Sequence, residues 1–263
     1  MKLAELLVTF DELWPTRGAE DWDNPGLSVG SSEAAISKVL LAVDVTPEVL
    51  GEAVSVGAQL VLSHHPLILK GLQTVSEGAN KGSIIAAAIR NNIALYSAHT
   101  NADIVENGVS ATIAKRLGLE DIRPLVPTEG GVGHGRVGVL PKAQTLAELV
   151  DKLLEILPAT TRGVSATAAG STVIRTVALC GGAGDAFIAN AKSAGADVYI
   201  TSDLRHHVSQ EAGLPLVDVS HWASESLWLE VAAKQLASRC PDISFVVSSA
   251  NTDPWVFNRG RTK

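Results

Sequence analysis

Residues 38–65 lie on residues 176–203 without a gap, and six of the 28 paired positions are identical. The identities are Val39/Val177, Leu41/Leu179, Ala53/Ala191, Ser55/Ser193, Gly57/Gly195 and Ala58/Ala196. Many of the other pairs match apolar with apolar. Each copy reads in the same order: a short apolar run, a helical stretch closed by Gly-Ala, a second apolar run, then a polar cluster. Short apolar runs of this kind suit buried strands, and the glycine suits a helix stop. A third run follows at a shorter offset, residues 92–99 facing 214–221, and it ends at His99 in one copy and at His221 in the other. Strands alternating with helices of this length imply α/β architecture. A duplicated α/β unit is expected, folded as two lobes related by a pseudo-dyad. Two copies do not make a solenoid, which stacks several short repeats.

The flanks fit that frame. Leu3, Leu6, Leu7, Phe10 and Leu13 have helical spacing over residues 2–14, and Pro15 ends the helix. Helices are expected over 82–91 and 108–117. The glycine-rich stretch 128–138 reads as the joint between a first lobe, 1–127, and a second, 128–263, intertwined within one domain spanning 1–263. A chain of 263 residues is long enough for either one large domain or two lobes.

Composition excludes several classes. At 46% hydrophobic residues the chain is too apolar for disorder. No apolar run approaches the roughly 18 residues of a membrane span. A net charge of −7 offers no basic footprint for broad nucleic-acid binding. Two cysteines, Cys180 and Cys240, cannot build a disulfide framework. Glu5 sits where a signal peptide would be apolar, so a cytoplasmic protein is expected.

The histidines carry the chemistry. Six of the seven fall at the ends of expected strands: His64, His65, His99, His206, His207 and His221. Carboxyl ends of strands line the ligand crevice of open α/β sheets. Asp103, Asp203 and Glu225 accompany them. Histidine with carboxylate suits zinc, iron, manganese or nickel, so a metal centre is expected. The adjacent pair His64-His65 ends a strand, where the pleat relaxes and both rings can enter one cleft, which suggests two metals. His99/Asp103 and His221/Glu225 have i,i+4 spacing, which places each pair on one face if the segment opens a helix. His134, in a glycine-rich loop, reads as structural. Gly181-Gly182-Ala183-Gly184 reads as a tight strand-to-helix turn, since it lacks the spacing of a nucleotide loop. Trp22 and Trp222 are available to stack a ring, and Trp228 reads as core.

WDNPGL (22–27), SHHP (63–66), AHTNAD (98–103), TSDLRHH (201–207) and SHWASE (220–225) follow in this order over nearly the whole chain. Together they closely resemble the dinuclear-metal family known as GTP cyclohydrolase 1 type 2, or Nif-three-like. That family usually has glycine where Ser202 and Ser220 stand. The resemblance implies a duplicated three-layer α/β/α fold and a toroidal homohexamer. It implies two divalent metal ions per subunit, held by His64, His65, Asp103, His221 and Glu225. His99 falls near the metals as a catalytic proton carrier. Five protein ligands for two ions leave positions open for water and substrate. Asp203, His206 and His207 are therefore expected to contact substrate or water rather than metal. The activity implied is hydrolysis of a small molecule, with a nucleotide as one candidate. The reaction is then either opening of the GTP imidazole ring with formate release, or cleavage of a phosphoester or amide. The alternative is a non-catalytic metal-binding or regulatory ring.

Overall fold

The computed structural model describes residues 1–259. The chain begins with α1 (Leu3–Leu13), β1 (Gly26–Val29), β2 (Lys38–Ala42), α2 (Pro47–Val56), β3 (Leu60–Ser63), α3 (Asn80–Arg90), β4 (Ala94–Ser97) and α4 (Thr100–Asp103). It continues through α5 (Val109–Arg116), β5 (Glu120–Pro127), β6 (Gly133–Thr145), α6 (Leu146–Ile156), β7 (Ser165–Ala166) and β8 (Val173–Ala183). The last elements are α7 (Ile188–Ser193), β9 (Val198–Ser202), α8 (His206–Glu211), β10 (Leu216–Asp218), α9 (His221–Arg239) and β11 (Ser244–Val247). None of the helices among the described residues is long and apolar enough to cross a membrane.

Two compact units are formed. The first comprises Met1–Ala102 and Leu229–Thr252, the second Asp103–Trp228 and the chain from Asp253. The stretch 128–138, expected as the joint between lobes 1–127 and 128–263, lies inside the second unit. There it turns β5 back into the antiparallel β6.

The first unit holds a five-stranded sheet in the order β1-β4-β3-β2-β11, parallel except for β1. Alternation along β2 divides its residues between two faces. Leu40 and Ala42 join Val61 of β3 and Leu95 of β4 in a core closed by Val49, Leu50 and Ala53 of α2 and Ile84, Ile85 and Ala88 of α3. On the other face, Tyr96 meets Phe10 of α1, ring centroids 4.7 Å apart. The sheet is thus sandwiched between helices. Thr46 caps α2 by accepting from Val49 N–H at 3.3 Å, and Gly57 ends it with φ 70°.

The second unit holds a six-stranded sheet, β5-β6-β8-β9-β10-β7. Ala178 and Tyr199 face α7, through Ile188 and Ala191. Helix α5 packs against β6 and β8. The duplication persists at the level of register. Val39 pairs with Leu60, and Val177 with Val198, which are the aligned positions of the two copies. Ala58 N–H donates to Ala53 at 2.9 Å, as Ala196 donates to Ala191 at 3.1 Å. The β5–β6 hairpin and α6 have no counterpart in the repeat and were not apparent in its pattern.

One link within the first unit responds to pH. Glu52 of α2 accepts from Ser248 Oγ and, at 2.9 Å, from both Ser249 N–H and Ser249 Oγ. Burial raises the Glu52 carboxyl, but these hydrogen bonds outweigh it and hold it below its ordinary value of 4.5. A lowered carboxyl stabilises the fold above its unfolded value, and that contribution fades as pH falls through the folded value. Glu52→Gln should cost about 1 kcal/mol at neutral pH. Urea titrations of both proteins should converge as pH drops below that ordinary value. A gap that stays constant down to strong acid would refute the assignment.

Candidate metal centre

In the first unit, parallel strands β3 and β4 deliver three histidines. His64 and His65 leave the carboxyl end of β3, their N–H groups bonded to Ala42 and Val43 carbonyls at 3.0 and 2.8 Å. His99 follows β4 and precedes α4. The three rings pack edge to face or tilted, with centroids 5.2 Å apart for His64/His65, 5.2 Å for His64/His99 and 5.4 Å for His65/His99. One ligand atom from each lies within 4.8 Å of the others. The adjacent pair therefore shares one side of the strand end, as the relaxed pleat allows.

Each ring is held by the same device. His64 Nδ1 is 2.9 Å from the Ala98 carbonyl, His65 Nδ1 is 2.8 Å from Asp44 Oδ1, and His99 Nδ1 is 2.7 Å from Asp23 Oδ1. Carbonyls and carboxylates only accept, so Nδ1 carries the proton and Nε2 carries the lone pair. Oxygen partners of this kind fix a metal-binding imidazole and raise its basicity. Asp44 is itself held by Thr252 Oγ1 at 2.5 Å. Asp23, its side chain fully buried, also accepts from Thr100 N–H at 3.1 Å and Thr100 Oγ1 at 2.5 Å. Burial would raise the Asp23 carboxyl, but the bonds from His99 and Thr100 hold it at about 2.

The second unit repeats the device. His221 opens α9, and its Nδ1 is 2.6 Å from Asp203 Oδ2. Asp203 has φ 58°, a left-handed conformation that Asp tolerates better than most residues. The bond from His221 lowers its carboxyl, against a smaller effect of burial. His221 Nε2 lies 2.9 Å from Glu225 Oε1, one helical turn on, and Glu225 is buried. Ser220 caps this helix by accepting from Ala223 N–H at 3.2 Å while donating to Asp253 at 2.6 Å. Asp103, at the end of α4, faces the Cys180 thiol, as does Glu225; burial first, then the Asp103 and Glu225 charges, pushes that thiol up to about 12.

The glycine run after the β8 core is more than a turn. Gly182, at φ +68°, lies so close to α9 that an added Cβ would stand 2.4 Å from Glu225 Oε1 and 3.2 Å from His221 Nε2. Its N–H donates to Ser224 Oγ at 2.9 Å, and its carbonyl accepts from Thr201 Oγ1 at 2.9 Å.

These local arrangements have close relatives. The model of the Duf34/NIF3 (NGG1p interacting factor 3) family matches residues 1–254. The chain belongs to the Duf34/NIF3 family. A Streptomyces coelicolor protein named GTP cyclohydrolase 1 type 2 homolog is 42% identical, over 97% of this chain and 93% of its own. A Clostridium perfringens protein of the same name is 36% identical, over 98% of this chain and all of its own. Among solved structures, a Bacillus cereus protein related to NIF3 superposes with a TM-score of 0.90 at 25% identity, covering 98% of this chain and 99% of that one. A Staphylococcus aureus hypothetical protein gives the same score and coverage at 28% identity. The duplicated α/β fold expected from the sequence is the Duf34/NIF3 fold.

Within that fold, the first unit gathers His64, His65 and His99, and the second gathers Asp203, His221 and Glu225, with Asp103 near the Cys180 thiol. His206 and His207 stand apart from these contacts. Both are exposed at the start of α8, with ring centroids 5.2 Å apart. Three residues escaped the sequence reading, Asp23, Asp44 and Arg136, and Gly182 was read only as part of a tight turn. Asp23 had a signal, since it lies inside WDNPGL. Asp44, in a plain apolar run, had none.

Proposed function

We propose that this Duf34/NIF3 protein is a dinuclear metal-dependent hydrolase, with His64, His65, Asp103, His221 and Glu225 as ligands for two divalent ions. One observation carries the reading: His64, His65 and His99 each have Nδ1 engaged by an oxygen, which leaves the basic Nε2 as the ligand atom, and His221 Nδ1 is held the same way while its Nε2 faces Glu225. The donor set, imidazoles with carboxylates, fits zinc, iron, manganese or nickel. When bound, two such ions supply Lewis acidity and a water of lowered pKa. Asp44 and Asp203 orient their imidazoles. His99, tautomer fixed by Asp23, takes or gives a proton at Nε2. The substrate class is a small nucleotide, with ring opening of GTP by water and release of formate as the reaction to test first. A homohexamer is the assembly proposed.

Protein loaded with zinc or manganese should retain about two ions per chain and turn over GTP, read by release of formate. His64→Ala should lower metal content, and His207→Ala should leave it near that of the wild type. Metal content well under one ion per chain would sink the reading. Full loading with no turnover of GTP, phosphoesters or amides would favour a non-catalytic ring. Light scattering showing only monomer would remove the hexamer.

A further inference from the structure

Trp22 is 59% exposed in a chain with only 4% aromatic residues. A singly exposed aromatic residue is ordinary, and Trp255 is exposed to a similar degree; what distinguishes Trp22 is where it is held. Its position is not that of a loose surface loop. The turn that carries it is fastened on both sides. Glu20 N–H donates to Thr100 Oγ1 at 3.0 Å, and Asp23 N–H closes the turn on Glu20 at 2.9 Å. Asp23 then grips His99 and Thr100, and Asn24 Nδ2 donates to the Ile68 carbonyl at 2.6 Å. The indole is thereby set beside the His99 ring, centroids 5.9 Å apart and planes at 79°. The same residue that orients His99, Asp23, is the neighbour of Trp22 in sequence. A rigid turn thus holds a solvent-facing aromatic surface next to the histidine cluster.

We propose that Trp22 is a binding residue that stacks the planar ring of the substrate, and that the ring is a purine. This rests on the nucleotide reading above for the choice of ring. The physical case for stacking stands on the turn. An indole presents a bicyclic face of the size of a purine, and base–aromatic stacking tolerates any base while rejecting ligands without a ring. Holding the indole in advance reduces the ordering cost of binding. A ring stacked on the indole would then be held close to His99.

Equilibrium dialysis with guanosine, and with ribose as the control lacking a base, tests this on the full chain, both metal-loaded and chelator-treated. Trp22→Ala should weaken guanosine binding about tenfold or more, while Trp22→Phe keeps most of it. Ribose binding should not respond to either change. Metal content should match that of the wild type in both variants, which also shows that they fold. Unchanged guanosine binding in Trp22→Ala, or no guanosine binding by the wild type, would overturn the proposal. So would a fall in oligomer size with unaltered guanosine binding, because the indole would then be covered by a second copy. Loss of metal uptake by the wild type with Trp22-dependent guanosine binding intact would defeat the dinuclear reading alone.

Discussion

Arg136→Met is expected to destabilise the protein by about 3–5 kcal/mol. Arg136 is 3% exposed, and its guanidinium donates to four backbone carbonyls. Nη1 reaches Gly133 and Gly135 at 2.7 Å each, and Nη2 reaches Ile104 at 3.3 Å and Val105 at 2.5 Å. Methionine fills much of the same volume but offers no donor. The Ile104 and Val105 carbonyls keep the N–H donors of Gly133 and Gly108, so the loss is that of the charge-assisted bonds themselves, about 1.5–3 kcal/mol each and not additive. Burial lowers the Arg136 pKa, while the charges of Cys180, Asp103 and Glu106 act to raise it. Two of the gripped carbonyls follow Asp103 directly, so the same change should also loosen that carboxylate. Urea unfolding should show a lower midpoint, and metal retention should fall with it. Arg136→Lys should fall between, because an ammonium cannot match the planar fork. A stability loss under about 1 kcal/mol for the methionine variant would refute the clamp.

Gly182→Ala is the second large effect. An alanine at φ +68° pays a conformational cost of about 1–2 kcal/mol. Its Cβ would also sit 2.4 Å from Glu225 Oε1, closer than real contacts allow. Either the loop or the carboxylate must move. Glu225 is buried on a long helix, so its displacement should cost metal binding as well as stability. Gly195→Ala is the matched control. Gly195 has φ +75°, and a Cβ added there would meet no heavy atom within 4 Å. That variant should show only the conformational cost, with metal uptake unaltered. Equal metal content in the two variants would show that the close approach at Gly182 has no bearing on Glu225.

The repeat, the order of elements within it and the histidines that the strand ends bring together were legible in the chain. Periodicity places strands and helices because burial acts on local pattern. Gly57 and Gly195 marked two helix ends because only glycine enters the left-handed region cheaply. Strand ends placed His64, His65 and His99 together because parallel strands bring their carboxyl ends to one edge. The tertiary structure decided the rest. Asp23 meets His99 across 76 positions, and Asp44 meets His65 across 21. No local periodicity encodes such pairs. Gly182 and Gly195 look alike in sequence and have similar φ, yet only one faces a carboxylate. Arg136 reads as an ordinary charge in a glycine-rich stretch, and folding buries it among carbonyls. Pattern in sequence specifies what each segment can become, because that depends on neighbours along the chain. Which oxygen fixes which imidazole depends on neighbours in space, and those exist only once the sheets have formed.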